Sequence, residues 1–319
     1  MSQAWRPVAD RAILQARAAL LRDLRAFLDE RGVLEVSTPV LSAAGIPDPR
    51  IPSIPAETVT GRVYLHTSPE FPMKRLLAAG SGDIYQICPV FRDGEQGPWH
   101  NPEFQLLEWY RLAQDERMLA QECGELIRTV LSETRQRPIR FQTYAEAFQA
   151  HAGLDPLETD TETLAETVVT MTGTAAPVEW ERQDWLDLLG SLRVYPALGR
   201  GEITVLTDYP AEQAALARVR DGDPPTAARF EVFVDGIELA NGFHELQDAE
   251  EQARRFEAEN RARRQQGLPE IPLDDHLLAA LRAGLPDCAG VALGVDRLLA
   301  LVVGARELTE VLSFPRDRA

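Results

Sequence analysis

Four groups of residues in this sequence carry side chains suited to chemistry on phosphates and carboxylates. The first is Phe91-Arg92-Asp93, which leads through a loop to His100-Asn101-Pro102-Glu103-Phe104. An arginine at the end of an apolar strand, opening a loop with glycine and proline, suits a two-pronged grip on phosphate or carboxylate oxygens. It keeps its charge at any relevant pH. The same residue type at a strand end also serves in surface ion pairs. The second group is the run Phe104 to Tyr110, where alternation puts Phe104, Leu106, Glu108 and Tyr110 on one face. A carboxylate among apolar neighbours must be paired or neutral, because an unpaired buried charge is costly. Glu108 and Tyr110 therefore either receive an ammonium group of a ligand, or Glu108 has a partner such as Arg111.

The third group is the hairpin Phe230 to Leu246. Across a two-residue Asp235-Gly236 turn, Phe233 faces Glu238 and Val234 faces Ile237, so Glu231 shares a face with Glu238 one diagonal step away. Two carboxylates that close repel unless a cation sits between them, and oxygen-only ligands suit magnesium carried in with ATP phosphates. Asn241 and Glu245 have the opposite parity. To join the same site they need a bulge, which Gly242 could supply. The fourth group is Gly290-Val291-Ala292-Leu293-Gly294-Val295-Asp296-Arg297. Small residues let a flat ligand lie against the backbone, and the arginine in the first helical turn can reach a terminal phosphate. Close strand–helix packing explains the same residues.

The elements that must position these groups are legible from periodicity. Asp10 to Arg31 reads as an amphipathic helix with Ile13, Ala16, Leu20, Leu24, Phe27 and Leu28 on one face, stopped by Gly32. Val33 to Val36 reads as a strand ending at Pro39, and Ile46 to Glu57 as a proline-bearing loop. Strands follow at Val63–Thr67, Tyr85–Arg92 and Phe104–Leu112, with a helix near Met73–Ala79 and another at Glu116–Gln136. Residues from about 143 to 200 read as a helical insertion. Strands return at Ile203–Thr207 and Phe230–Val234. Asp248 is placed to cap a helix, with Glu251 set to complete a capping box and glutamate–arginine pairs four apart along its surface. Val291–Val295 then runs into a helix at Asp296–Val303. Hairpin-linked strands separated by single helices predict an antiparallel or mixed sheet with helices packed on it, an α+β fold. Neither common glycine-rich phosphate loop occurs.

Composition narrows the classes. A formal charge of −17 gives no general attraction to a nucleic-acid backbone. Cys88, Cys123 and Cys288 are widely spaced and predict reduced, structural thiols, and the histidines do not cluster as a zinc site would. Neither a membrane span nor a signal peptide is predicted, so the expected location is the cytoplasm.

In this order, the four groups resemble the class II aminoacyl-tRNA synthetases. Glu30 to Pro39 is similar to their motif 1, Arg92 through Tyr110 to motif 2 and Gly290 to Arg297 to motif 3. The likeness is greatest to the lysine-specific enzymes, through Ser68-Pro69-Glu70, the His100-to-Phe104 run, Glu108-x-Tyr110 and Asn241-Gly242-Phe243-x-Glu245-Leu246. Motif 1 begins almost at Met1, leaving no room for an N-terminal anticodon-binding domain. That points to the stand-alone paralogues that join (R)-β-lysine to a lysine side chain of elongation factor P.

The resemblance implies one catalytic domain over residues 1–319, built on an antiparallel sheet flanked by helices, and a homodimer. It implies ATP and Mg2+ as co-substrate and metal, with an amino-acid carboxylate activated as the adenylate. Arg92 would hold the substrate carboxylate and the α-phosphate, and Arg297 the γ-phosphate. Glu231 and Glu238 would bind magnesium. Asp93, Gly94, Asn101, Leu239 and Gly294 would complete the ATP contacts. Glu70, with Ser68 and Pro69, would meet the amine near the carboxylate; Glu108, Tyr110 and Glu245 would hold the side-chain ammonium; Asn241 would orient the carboxylate. Ala292 stands where lysine synthetases usually have glycine, and its methyl would reshape the amino-acid pocket to suit a β-amino isomer. Two departures concern the loop after Arg92. Gly94 replaces a usual acid, and Pro98-Trp99 stand where an arginine is usual. Charging of tRNA, synthesis of dinucleoside polyphosphates, and a catalytically silent regulatory role are the competing expectations.

Overall fold

The computed structural model of the chain describes residues 5–131, 137–173 and 180–319. They pack as two compact units, one formed within Met1–Ala113, Val130–Ser132 and Leu246–Ala319, the other within Gln114–Thr129 and Glu133–Glu245. The architecture is α+β with mixed strand pairing, as the sequence predicts.

In the first unit the strands lie in the order Leu34–Glu35, Ile84–Phe91, Glu103–Leu112, Cys288–Gly294. The first pair is parallel and the next two are antiparallel. The helix Val295–Val303 follows directly and packs back on Glu103–Leu112. The helix Arg11–Asp29 opens on Asp10, whose carboxylate accepts from Ile13 N at 3.0 Å, and it buries Leu20, Leu24, Phe27 and Leu28. It stops two residues earlier than predicted, and Gly32 at φ +72° turns the chain into the first strand. Residues Pro55–Thr58, placed by sequence mostly in a loop, pair with Gly61–Leu65 in a small separate sheet with Leu41–Ser42. The next helix begins at Glu70 rather than near Met73, directly after Pro69.

The helix Ala249–Gln265 is capped by Asp248, which accepts from both Glu250 N and Glu251 N. The expected capping box is replaced, because the Glu251 carboxylate is taken by Arg254 and Arg255 at 2.7 and 2.9 Å. Glu250 meets Arg282 of the following helix at 2.9 Å.

In the second unit the order is Ile237–His244, Thr226–Val234, Ile203–Pro210, Ile139–Thr143, with Val219–Arg220 also on the second of these. Asp235 and Gly236 both have positive φ, at +52° and +81°, which makes the predicted two-residue turn. A Cβ on Gly236 would fall 2.9 Å from Pro196 O, so the glycine is needed for space as well as conformation. The helices Tyr144–Ala152, Thr161–Thr172 and Arg182–Leu189 occupy the stretch read as helical; its residues 174–179 lie outside the described set. They close a core of Tyr144, Phe148, Trp185, Tyr209 and Phe233. The helix predicted to reach Gln136 runs Glu116–Val130, and residues 132–136 lie outside the described set. Cys88, Cys123 and Cys288 are buried free thiols. Among the described residues, no helix is long and apolar enough to cross a membrane.

Candidate active site

In the first unit, the strand Glu103–Leu112 is buried on both faces through its middle, Leu106 to Tyr110. One of those buried positions is Glu108, 2% exposed. Its Oε2 accepts from Ser68 Oγ at 2.6 Å and its Oε1 from Tyr110 OH at 2.7 Å. Neutral hydroxyls thus hold both carboxylate oxygens. Arg111, the residue that sequence offered as a partner, pairs with Asp83 at 3.1 Å. Strand pairing puts Gln86 on one side of Glu108 and Ala292 on the other. Ala292 packs on the small apolar cluster Cys88, Val90 and Leu106 of the same face. Burial, and then the Glu108 charge, push the Cys88 thiol up to about 12. It is a packing group, not a nucleophile.

Pro69, buried, caps the helix that carries Glu70. Ser68 Oγ also accepts from Glu70 N at 3.0 Å, so one hydroxyl ties the helix start to Glu108. Because this helix begins at Glu70, Lys74 comes one turn later and donates to Glu70 Oε1 at 2.6 Å, with its side chain 2% exposed.

Arg92 stands at the end of the Ile84–Phe91 strand, its backbone N donating to Pro102 O and its guanidinium 5.1 Å from the Phe104 ring centroid. The loop beyond lacks the expected arginine but is tied down by backbone. Leu308 N donates to Pro98 O at 2.7 Å, and Arg297 Nε donates to Trp99 O at 3.1 Å. Asp93 accepts from Gly94 N, and Gly94 has φ +75°, a conformation that favours glycine there. Glu95 lies 3.6 Å from His100. Asn101 donates to Glu103 O at 2.6 Å, closing the turn into the next strand. Gly294 is the N-cap of the helix bearing Arg297. The adjacent Asp296, buried, accepts from Arg17 at 2.5 Å and from Gln105 N at 2.7 Å, which fixes that helix start.

The second unit holds the other predicted set. Phe233 pairs with Glu238 and Val234 with Ile237, the predicted register. A bulge is present, but at Leu239 rather than Gly242: Val232 pairs with Ala240, and Gly242 pairs regularly with Phe230. Beyond the bulge Asn241 lies directly opposite Glu231. Sequence reading missed Arg229, which binds both: its NH2 group meets Glu231 Oε1 at 2.5 Å and its Nε donates to Asn241 Oδ1 at 3.1 Å. The guanidinium also lies 4.5 Å from the Tyr209 ring centroid. Burial and the nearby Glu238 charge push Glu231 up to about 7, against the pull of Arg229. Glu245 is buried, 1% exposed, and its carbonyl accepts from Arg218 Nε at 2.8 Å. Among the described residues no three or more His, Cys, Asp or Glu side chains form a metal-holding group. Glu231 and Glu238 could hold a cation only if it brings other oxygen ligands with it.

The first unit thus holds a carboxylate braced by neutral hydroxyls and two arginines, and the second holds a pair of repelling carboxylates. Residues 4–318 match the family model of class II tRNA synthetases of the D, K and N type. Several relatives share the name elongation factor P–(R)-β-lysine ligase. That of Salmonella arizonae is 46% identical over 99% of this chain and 98% of its own length. Those of Salmonella gallinarum and Klebsiella pneumoniae are 47% and 46% identical, each over 99% of this chain and 98% of their own length.

Proposed function

The chain belongs to the class II tRNA synthetases of the D, K and N group, and from that premise we propose that it uses ATP to activate (R)-β-lysine, or lysine, and joins it to a lysine side chain of elongation factor P. The observation that carries this reading is the near end-to-end likeness, at 46–47% identity, to relatives of that name. The braced, buried Glu108 supports it, because such a carboxylate suits an ammonium-bearing substrate.

The first step needs no general base. The substrate carboxylate is ionised near neutral pH, and one of its oxygens attacks the α-phosphorus as pyrophosphate leaves. Arg92 holds the carboxylate and α-phosphate, and Arg297 the γ-phosphate. Alignment and fixed positive charge supply the acceleration. Magnesium carried by the ATP phosphates would neutralise developing phosphate charge, held by Glu231 and Glu238. Asp93, Gly94, Asn101, Leu239 and Gly294 complete the nucleotide contacts. Ser68, Pro69 and Glu70 meet the amine near the carboxylate, while Glu108, Tyr110 and Glu245 hold the side-chain ammonium and Asn241 orients the carboxylate. In the second step the acceptor lysine loses a proton, its nitrogen attacks the acyl carbon, an amide forms and AMP leaves. The active form is a homodimer in the cytoplasm.

Amino-acid-dependent pyrophosphate exchange tests activation: no exchange with any lysine isomer overturns the enzymatic reading. Intact-mass measurement of elongation factor P after incubation tests the acceptor. An unchanged mass together with aminoacylated tRNA would reassign it.

A further inference from the structure

Gln86 lies immediately beside Glu108 in the strand ladder, opposite the side taken by Ala292. Paired residues on neighbouring antiparallel strands project to the same face, so these three form one row across the sheet. Gln86 is 3% exposed, and its Oε1 is a buried acceptor with no hydrogen-bond donor. A buried carbonyl oxygen without a donor costs stability, and folds retain such groups where a ligand fills them.

The chemistry of the row says what would fill it. An ammonium carries three donors and no acceptor. Glu108 can take one and balance the charge, but its two oxygens already accept from Ser68 and Tyr110. A second acceptor beside it must be neutral. Another carboxylate there would repel Glu108, and one of the two would hold a proton in the empty site. An amide oxygen meets that requirement.

We propose that Gln86 is a specificity-determining residue whose Oε1 accepts a hydrogen bond from the substrate ammonium that Glu108 neutralises. The inference rests on the amino-acid-activating reading of Glu108 given above. It predicts selection against substrates with a methyl in place of the ammonium, since those leave Gln86 without a donor and Glu108 without a counter-charge.

The test is pyrophosphate exchange by the full chain with β-lysine or lysine, KM being measured separately for amino acid and ATP. Gln86→Met keeps the volume and removes the acceptor. Its amino-acid KM should rise about tenfold to a hundredfold, as expected for a bond to a charged group, while its ATP KM stays within about twofold. Gln86→Glu restores an acceptor but adds a titrating pair, so its amino-acid KM should fall steeply between about pH 6 and 8.5 where wild type changes little. Glu108→Gln is the control. If it raises amino-acid KM while Gln86→Met does not, Gln86 is a packing residue and the proposal fails alone. If neither variant moves amino-acid KM, the reading of Glu108 itself is wrong. Should Gln86→Met fold poorly, Gln86→Glu decides: a pH profile equal to wild type overturns the proposal.

Discussion

Ala292 stands directly across the ladder from Glu108, and its methyl packs on the apolar cluster of Cys88, Val90 and Leu106. The methyl therefore occupies space next to the buried carboxylate. A substrate whose ammonium reaches Glu108 must fit its carbon chain past that methyl. Ala292→Gly should relax the choice between lysine isomers, raising exchange with α-lysine relative to β-lysine by about tenfold, the worth of one or two methylenes in a tight pocket. Ala292→Val should raise amino-acid KM for both isomers. Comparing kcat/KM for the two isomers in both variants checks this, and an unchanged ratio in Ala292→Gly would remove Ala292 from the specificity argument.

Arg297 joins two duties, because its Nε holds Trp99 O while the rest of its guanidinium is proposed to meet the γ-phosphate. Arg297→Lys keeps the charge but loses the planar fork. ATP KM should rise about tenfold or more, with amino-acid KM little changed. Equal rises in both would mean that the residue serves the fold rather than the nucleotide.

How much of this was legible beforehand differs residue by residue. The turn Asp235-Gly236 dictates its own geometry, so the pairs Phe233–Glu238 and Val234–Ile237 followed from sequence. The bulge did not. One extra residue anywhere between Glu238 and Asn241 restores the parity, and the chain places it at Leu239, which is buried. Arg92 stood out because it sits where a strand ends, and Arg297 because it sits in the first turn of the helix that follows one. Arg229 looked like any strand arginine two residues from a glutamate, and only tertiary burial makes it the group that binds Glu231 and Asn241. Gln86 carried no signal at all, since a neutral amide in an apolar strand acquires meaning only through register with Glu108. The Glu70–Lys74 pair was hidden by a helix start placed three residues late.

Glu231 makes the proposed metal step pH-dependent. Burial, and then the charge of Glu238, raise its carboxyl to about 7, while Arg229 lowers it. A carboxylate must be ionised to hold magnesium, so activity should fall as pH drops through about 7 at subsaturating magnesium. In Glu238→Gln the repelling charge is gone, and the midpoint of whatever activity remains should move to lower pH. Profiles of exchange rate against pH at two magnesium concentrations read this directly. A profile that ignores magnesium, with the same midpoint in both proteins, would detach Glu231 from the metal.

Glu259, on the helix Ala249–Gln265, gives a prediction about stability alone. Burial, and then repulsion from Asp48, raise its carboxyl from an ordinary 4.5 to about 8, with Arg255 pulling the other way. Its Oε2 is buried without a hydrogen-bond partner. The folded state therefore holds the proton more tightly than the unfolded chain. The stability this gives is intact below about 4.5 and is lost as pH rises through about 8. Glu259→Gln keeps the neutral shape at every pH and removes that loss. The residue is intermediate in exposure, so solvent screening trims the gain to about 1 kcal/mol, or roughly 2–4 °C in Tm, near pH 8.5. The two proteins should melt together near pH 5 and separate as pH rises. A constant difference across that range would place the effect in packing rather than in the proton.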